Sequence, residues 1–207
     1  MVGKHLLSTL TKEYPHIILS IGHSNASYEK CKESFAWGVS HATHLFNAMS
    51  PYHHRKPGIV GAVLDADVTC DMIADLVHTH PSTLELVQKI KKNKLILITD
   101  AMRAGCMKCG TYDLGGRKVE VSEGKAVLED GTLAGSVLKM NEALRNMLNH
   151  TSMNMIEAVY SVTKAPAQKL AILKGELCAG YDADIVIFDE SFCIRYTIVA
   201  GELKYKS

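Results

Sequence analysis

Short apolar runs alternate with amphipathic stretches along the first hundred residues, the two signatures that mark strands and helices in turn. Residues 16–21 predict a buried strand, and residues 27–37 a helix with Tyr28, Cys31 and Phe35 on one face. Residues 38–43 predict the next extended piece, 72–77 a strand, 81–92 a helix opened by Pro81, and 94–99 a further strand. These are successive β/α units, the pattern that feeds a parallel sheet. From residue 112 to 131 the pattern shortens to alternating runs broken by Gly115-Gly116, Glu123-Gly124 and Asp130-Gly131, which predicts antiparallel hairpins inserted into the β/α series. Ser136 is placed to cap a helix running to about Asn149, and residues 154–170 predict one or two more helices interrupted near Pro166. The chain closes in two extended pieces, 183–188 and 196–199.

Composition narrows the class of partner. With 207 residues, 47% of them hydrophobic, the chain can bury a core of one or two domains. Lysine plus arginine (23) nearly balances aspartate plus glutamate (22), so no basic field exists to hold nucleic acid or an anionic membrane, and a small molecule is the expected ligand. No run approaches the roughly 18 apolar residues of a transmembrane helix and the N-terminus lacks a signal-peptide layout, which together predict a cytoplasmic chain. Of the six cysteines only Cys106 and Cys109 are suggestively spaced; with no second pair they are read as ordinary reduced thiols.

The candidate chemistry sits at one kind of position. His23, His44, His78 and Asp100 each follow a predicted strand, and in a (β/α)8 barrel such residues line the mouth where active sites are built. Imidazoles bind divalent transition metals through neutral ring nitrogens, and a carboxylate beside metal-activated water can accept its proton. Singly, each residue also fits a structural role: a histidine satisfying a backbone carbonyl, or Asp100 capping the segment after it. His5, His16, His41, His80 and His150 are read as structural, and His53-His54 as a solvated loop.

Four segments in order carry a family resemblance: Gly22-His23-Ser24-Asn25-Ala26, then Ala42-Thr43-His44-Leu45-Phe46-Asn47-Ala48-Met49, then Ile98-Thr99-Asp100-Ala101-Met102, and Gly131-Thr132-Leu133-Ala134-Gly135-Ser136. They resemble the N-acetylglucosamine-6-phosphate deacetylases of the amidohydrolase superfamily over nearly the whole chain. The tail from Gly175 to Asp189 is similar to the segment by which many amidohydrolases return from the barrel to a small β-sandwich. The resemblance implies an α/β fold: the second half of a metal-dependent-hydrolase (β/α)8 TIM barrel over residues 1–174, with the hairpin insertion near 112–131, and C-terminal strands of the β-sandwich over 175–207.

For the site, the resemblance implies one divalent metal ion, zinc or iron(II), held by His23 and His44. Asp100 is then the base that takes a proton from water and the acid that returns it to the departing amine. His78 matches a histidine that contacts substrate and stabilises the tetrahedral intermediate, with His80 in reserve, because Leu76 stands where the family usually has glycine. Asn47, the backbone near Ala48, and Arg55 match phosphate ligands, and Leu133 a residue packing near the acetyl group. In the family that arginine reaches in from a neighbouring subunit, which implies a homodimer. The family's glutamate metal ligand has no match here, and a closed barrel typically takes about 250 residues, so a truncated half, inactive by itself, is expected. Two other readings stay open: a different amidohydrolase acting on a cyclic amide or an N-acyl sugar, and a non-catalytic remnant that associates with other chains through its exposed sheet edge.

Overall fold

The apolar runs of the first hundred residues form a four-stranded sheet in a computed structural model that describes residues 2–122 and 124–207. Its strands are β1 (Leu19–Ile21), β2 (Val39–Ala42), β3 (Thr69–Ile73) and β4 (Leu95–Ile98), hydrogen-bonded in that order, with β1/β2 and β2/β3 parallel. The backbone divides into two compact units, Met1–Met72 with Leu86–Ile96, and Ile73–Glu85 with Leu97–Ser207.

The first unit carries β1, β2 and most of β3, together with helices α1 (Val2–Glu13), α2 (Tyr28–Ala36) and α3 (Gly58–Asp65). Ser27 caps α2 by accepting the Lys30 N–H, as its place ahead of the amphipathic run requires, and the helix buries Cys31 and Ser34. Between α2 and β2 the chain turns through Gly38 at φ +107°, where a Cβ would stand 2.2 Å from Thr11 Oγ1, so only glycine fits. Helix α3 was not expected from the pattern. Ile59 through Val63 are all buried, and a helix apolar all round shows no polar face to give its period away. The Lys91 ammonium is buried against the end of α3 and donates to the Val63 and Ala66 carbonyls; burial pushes its pKa down.

The second unit holds the loop after β3 and the chain from Leu97 onward, which includes two antiparallel three-stranded sheets. One is ordered β5-β6-β7, from β5 (Gly110–Leu114), β6 (Arg117–Ser122) and β7 (Lys125–Leu128); Glu123 of the expected turn lies outside the described residues. Val119, Val121 and Ala126 of this sheet pack on Met102 and Ala104, just beyond β4. The other, ordered β10-β9-β8, joins β8 (Ile185–Phe188), β9 (Ile194–Val199) and β10 (Glu202–Lys206), the last an exposed strand the pattern did not reveal.

Three expected boundaries are corrected. Strand β3 begins at Thr69 and ends at Ile73 rather than running to Val77, because Asp75 Oδ1 accepts the N–H groups of Val77 and His78 and Leu76 takes φ +64°, which closes a turn. Helix α4 (Pro81–Lys91) starts at Pro81 as expected. Ser136 does not cap α5 (Met140–His150); Lys139 stands at that N-terminus and its N–H goes to Glu142. The break in the last helical stretch falls at Thr163, between α6 (Met155–Val162) and α7 (Lys164–Leu170), and Pro166 sits in the first turn of α7, where a missing N–H costs little.

Candidate metal centre and active-site residues

The turns that leave the four strands share a backbone feature. His23 (φ +44°), His44 (+30°), Leu76 (+64°) and Asp100 (+48°) each lie two or three residues past a strand and each takes the left-handed conformation. For residues other than glycine this costs about 1–3 kcal/mol apiece, and such strain persists where the surrounding structure holds a side chain in a required direction. Histidine and aspartate tolerate it better than leucine does.

In the first unit the structure brings His23 and His44 together. Their Nε2 atoms are 3.0 Å apart, with ring centroids at 4.8 Å and planes at 70°. Two imidazole nitrogens on one tetrahedral ion, bonded at about 2.05 Å, stand about 3.3 Å apart, so the pair needs to open by only a few tenths of an ångström. His44 is buried and, among the described residues, its Nδ1 has no hydrogen-bond partner, so the contact with His23 is the one polar engagement its ring makes with them. The donor set therefore suits a transition metal in kind and in spacing. It supplies two ligands where a catalytic zinc takes three from protein, and no group of three or more such donors occurs among the described residues.

Asn47 follows His44 by one turn, its Nδ2 reaching the His44 and Leu45 carbonyls at 3.4 Å, and Ala48 is exposed at φ +51°. Arg55 lies on the exposed loop before α3, donating from Nη1 to His54 Nε2 at 2.8 Å, while His53 stacks on His54. This loop adjoins neither histidine of the pair by any bond in the structure's described residues. His41, read as structural, is held between Asp71 (3.0 Å) and Thr69 (2.7 Å).

In the second unit His78 bonds through Nδ1 to Asp75 Oδ2 at 2.6 Å and through Nε2 to the Ala134 carbonyl at 2.9 Å. The Asp75 hydrogen bond raises the His78 pKa above its ordinary value, against burial, and Asp100 adds to the rise from its place after β4. Asp100 is exposed, and its backbone carbonyl accepts the Ser136 N–H at 2.8 Å. Residues 134–136 thus run beside 100–102: Met102 N–H bonds the Ser136 carbonyl, and the Ser136 hydroxyl donates to the Thr99 carbonyl. Glycine suits position 135, since a Cβ would crowd the Asp100 oxygen at 3.0 Å. Leu133, 38% exposed, precedes this strap. His80 engages Ser82 at 2.8 Å, on the opening turn of α4. Sequence reasoning missed the part played by Asp75 and gave Ser136 the wrong partner; an aspartate three residues ahead of a histidine signals a local turn, whereas nothing local announces a serine bonded to a strand 37 positions away.

Known proteins resemble this chain over most of its length. An N-acetylglucosamine-6-phosphate deacetylase of Lysinibacillus sphaericus is 45% identical over 194 residues, which cover 92% of this chain and 50% of the relative. One from Bacillus subtilis is 42% identical over 195 residues. The solved structure of N-acetylglucosamine-6-phosphate deacetylase from Thermotoga maritima superposes with a TM-score of 0.91 at 37% identity, covering 98% of this chain and 56% of that one. The chain spans about half the length of the curated relatives it matches, and its fold is correspondingly about half of an amidohydrolase TIM-barrel protein. The model of the amidohydrolase family matches residues 10–204, and the chain belongs to that family.

Proposed function

We propose that this chain carries catalytic residues of a metal-dependent deacetylase that converts N-acetylglucosamine 6-phosphate to glucosamine 6-phosphate and acetate. The observation that carries the reading is the convergence of the His23 and His44 Nε2 atoms at 3.0 Å, at the ends of adjacent strands. The names and identities of the relatives support the substrate.

Deacetylases of this superfamily depend on a metal ion, and His23 and His44 would hold one here, zinc or iron(II), both of which accept imidazole. A bound divalent ion supplies Lewis acidity toward the acetyl carbonyl and makes water a nucleophile near neutral pH. Asp100 takes the proton from that water on a carboxylate oxygen and hands it to the amine nitrogen, which leaves poorly unless protonated. His78 donates from Nε2 to the acyl oxygen as negative charge collects there. Asn47, the Ala48 backbone and Arg55 hold the phosphate, the planar guanidinium matching its oxygens. Arg55 reaches the site of a neighbouring subunit in a homodimer, which fits its exposed loop, and Leu133 packs on the acetyl methyl. Residues 1–174 belong to the barrel and 175–207 to the small β-sandwich. No helix among the described residues is long and apolar enough to cross a membrane, and we place the protein in the cytoplasm.

In a complete enzyme containing this half, acetate release should be measured with zinc or ferrous iron from N-acetylglucosamine 6-phosphate beside the unphosphorylated sugar. The reading expects release that depends on the phosphate. Equal release from both sugars would point instead to an amidohydrolase that recognises an N-acyl sugar or a cyclic amide without it.

A further inference from the structure

Both ring nitrogens of His78 face acceptors. Asp75 Oδ2 lies 2.6 Å from Nδ1 and the Ala134 carbonyl oxygen 2.9 Å from Nε2. A neutral imidazole has one N–H and one lone pair, and neither an ionised carboxylate nor a carbonyl can donate to that lone pair. With one proton, one of the two contacts would set lone pair against lone pair. With two protons, both contacts are hydrogen bonds. The side chains of His78 and Asp75 are each 8% exposed, so the charges stand out of water and need full pairing. They have it: Asp75 Oδ1 also accepts the N–H groups of Val77 and His78, at 2.9 and 2.7 Å.

We propose that Asp75 is a positioning residue that holds His78 as a fixed imidazolium, with the Ala134 carbonyl occupying its Nε2–H until substrate replaces it. The inference rests on the reading of His78 as the residue that faces the acyl oxygen. The charged groups around the ring act together. Burial by itself would push the Asp75 carboxyl up, but the His78 hydrogen bond and the two backbone N–H groups outweigh it and leave that carboxyl below its ordinary value. Asp75 on the same loop and Asp100 beyond β4 both favour the charged ring, and the Ala134 carbonyl adds its dipole from the loop before α5. A ring already carrying both protons cannot serve as a base, so proton transfer falls to Asp100 alone and His78 contributes a donor and a positive charge. The strap that carries Ala134 is pinned to the end of β4 through Ser136, which fixes where the resting acceptor stands.

The test is ring-nitrogen NMR of the 207-residue chain labelled with 15N-histidine, with the His78 signals assigned by their loss in His78→Gln. At about pH 7.5, one unit above the ordinary histidine value of about 6.5, both His78 nitrogens should be protonated. In Asp75→Asn the side-chain oxygen can still accept the two backbone N–H groups, but its amide turns a donor toward Nδ1. His78 should then become the neutral tautomer with its hydrogen on Nε2. A neutral His78 in the unaltered chain at this pH overturns the proposal, as does an imidazolium that survives in Asp75→Asn. If Asp75→Asn does not fold, the unaltered chain decides by itself: a ring still doubly protonated at this pH supports the clamp, and a neutral one refutes it. These readouts need no turnover. Absent acetate release from a complete enzyme containing this half, with the imidazolium signature intact, counts against the deacetylase reading alone.

Discussion

Replacing Ser136 with alanine tests how the Asp100 turn is held. Ser136 is 2% exposed, and its hydroxyl donates to the Thr99 carbonyl while accepting the Leu138 N–H at 3.1 Å. Ser136→Ala leaves the backbone bridge to Asp100 and Met102 in place but strips a buried N–H and a carbonyl of the same partner. An orphaned buried group costs about 1–3 kcal/mol, and the shared loss here is about 2 kcal/mol, since a hydroxyl-sized gap adds little. With a urea slope of about 2 kcal/mol/M, the unfolding midpoint should fall by about 1 M. Hydrogen exchange gives the local measure: the Leu138 amide should exchange faster in the variant by more than amides of the β8–β10 sheet do. A stability change under about 0.5 kcal/mol, the range of ordinary surface substitutions, would refute the view that this hydroxyl anchors the strap beside Asp100.

Further outcomes follow from the same geometry. Lys91→Ala should cost about 2–3 kcal/mol, because two carbonyls at the end of α3 lose their buried donor; equilibrium unfolding checks it. The Asp75–His78 pair should make stability depend on pH in a defined window. Its contribution is fullest between about pH 4 and 6.5, falls in acid as the lowered Asp75 carboxyl protonates, and falls above about pH 6.5 until the raised His78 value is passed. Unfolding midpoints taken across pH should show that dependence in the unaltered chain and a weaker one in Asp75→Asn. In a complete enzyme containing this half, Arg55→Ala should raise KM for the phosphorylated sugar with kcat little changed, since a phosphate contact is made in ground and transition states alike; an unchanged KM would remove Arg55 from the phosphate site.

The strand-end positions of the candidate residues were legible in the sequence because two features coincide there: an apolar run long enough to mark a strand, and a polar residue close behind it. His23, His44 and Asp100 stand at such positions. The β3 boundary was not legible, because Ala74, Leu76 and Val77 continue the apolar run while the turn is set by the Asp75 carboxylate, whose local hydrogen bonds leave no periodic trace. Helix α3 was hidden for the opposite reason, being buried on every side between Ile59 and Val63. Ser136 was assigned to the wrong partner. Its place before a helix suggested a cap, but its hydroxyl goes to Thr99, and only the tertiary fold brings that carbonyl near. The pairing of His78 with both an anion and a carbonyl likewise joins residues 56 positions apart, and its consequence for charge could not be read from spacing.

The central claim is that Asp100 moves the proton in a reaction supported by a metal at His23 and His44. The most direct measurement sets metal content and acetate release from N-acetylglucosamine 6-phosphate side by side in the active protein and its Asp100→Asn variant. The account predicts that the variant keeps its metal and loses turnover by roughly 10²–10⁴-fold, the usual contribution of a general acid–base group. Turnover unchanged in Asp100→Asn, with metal equally bound, would contradict it.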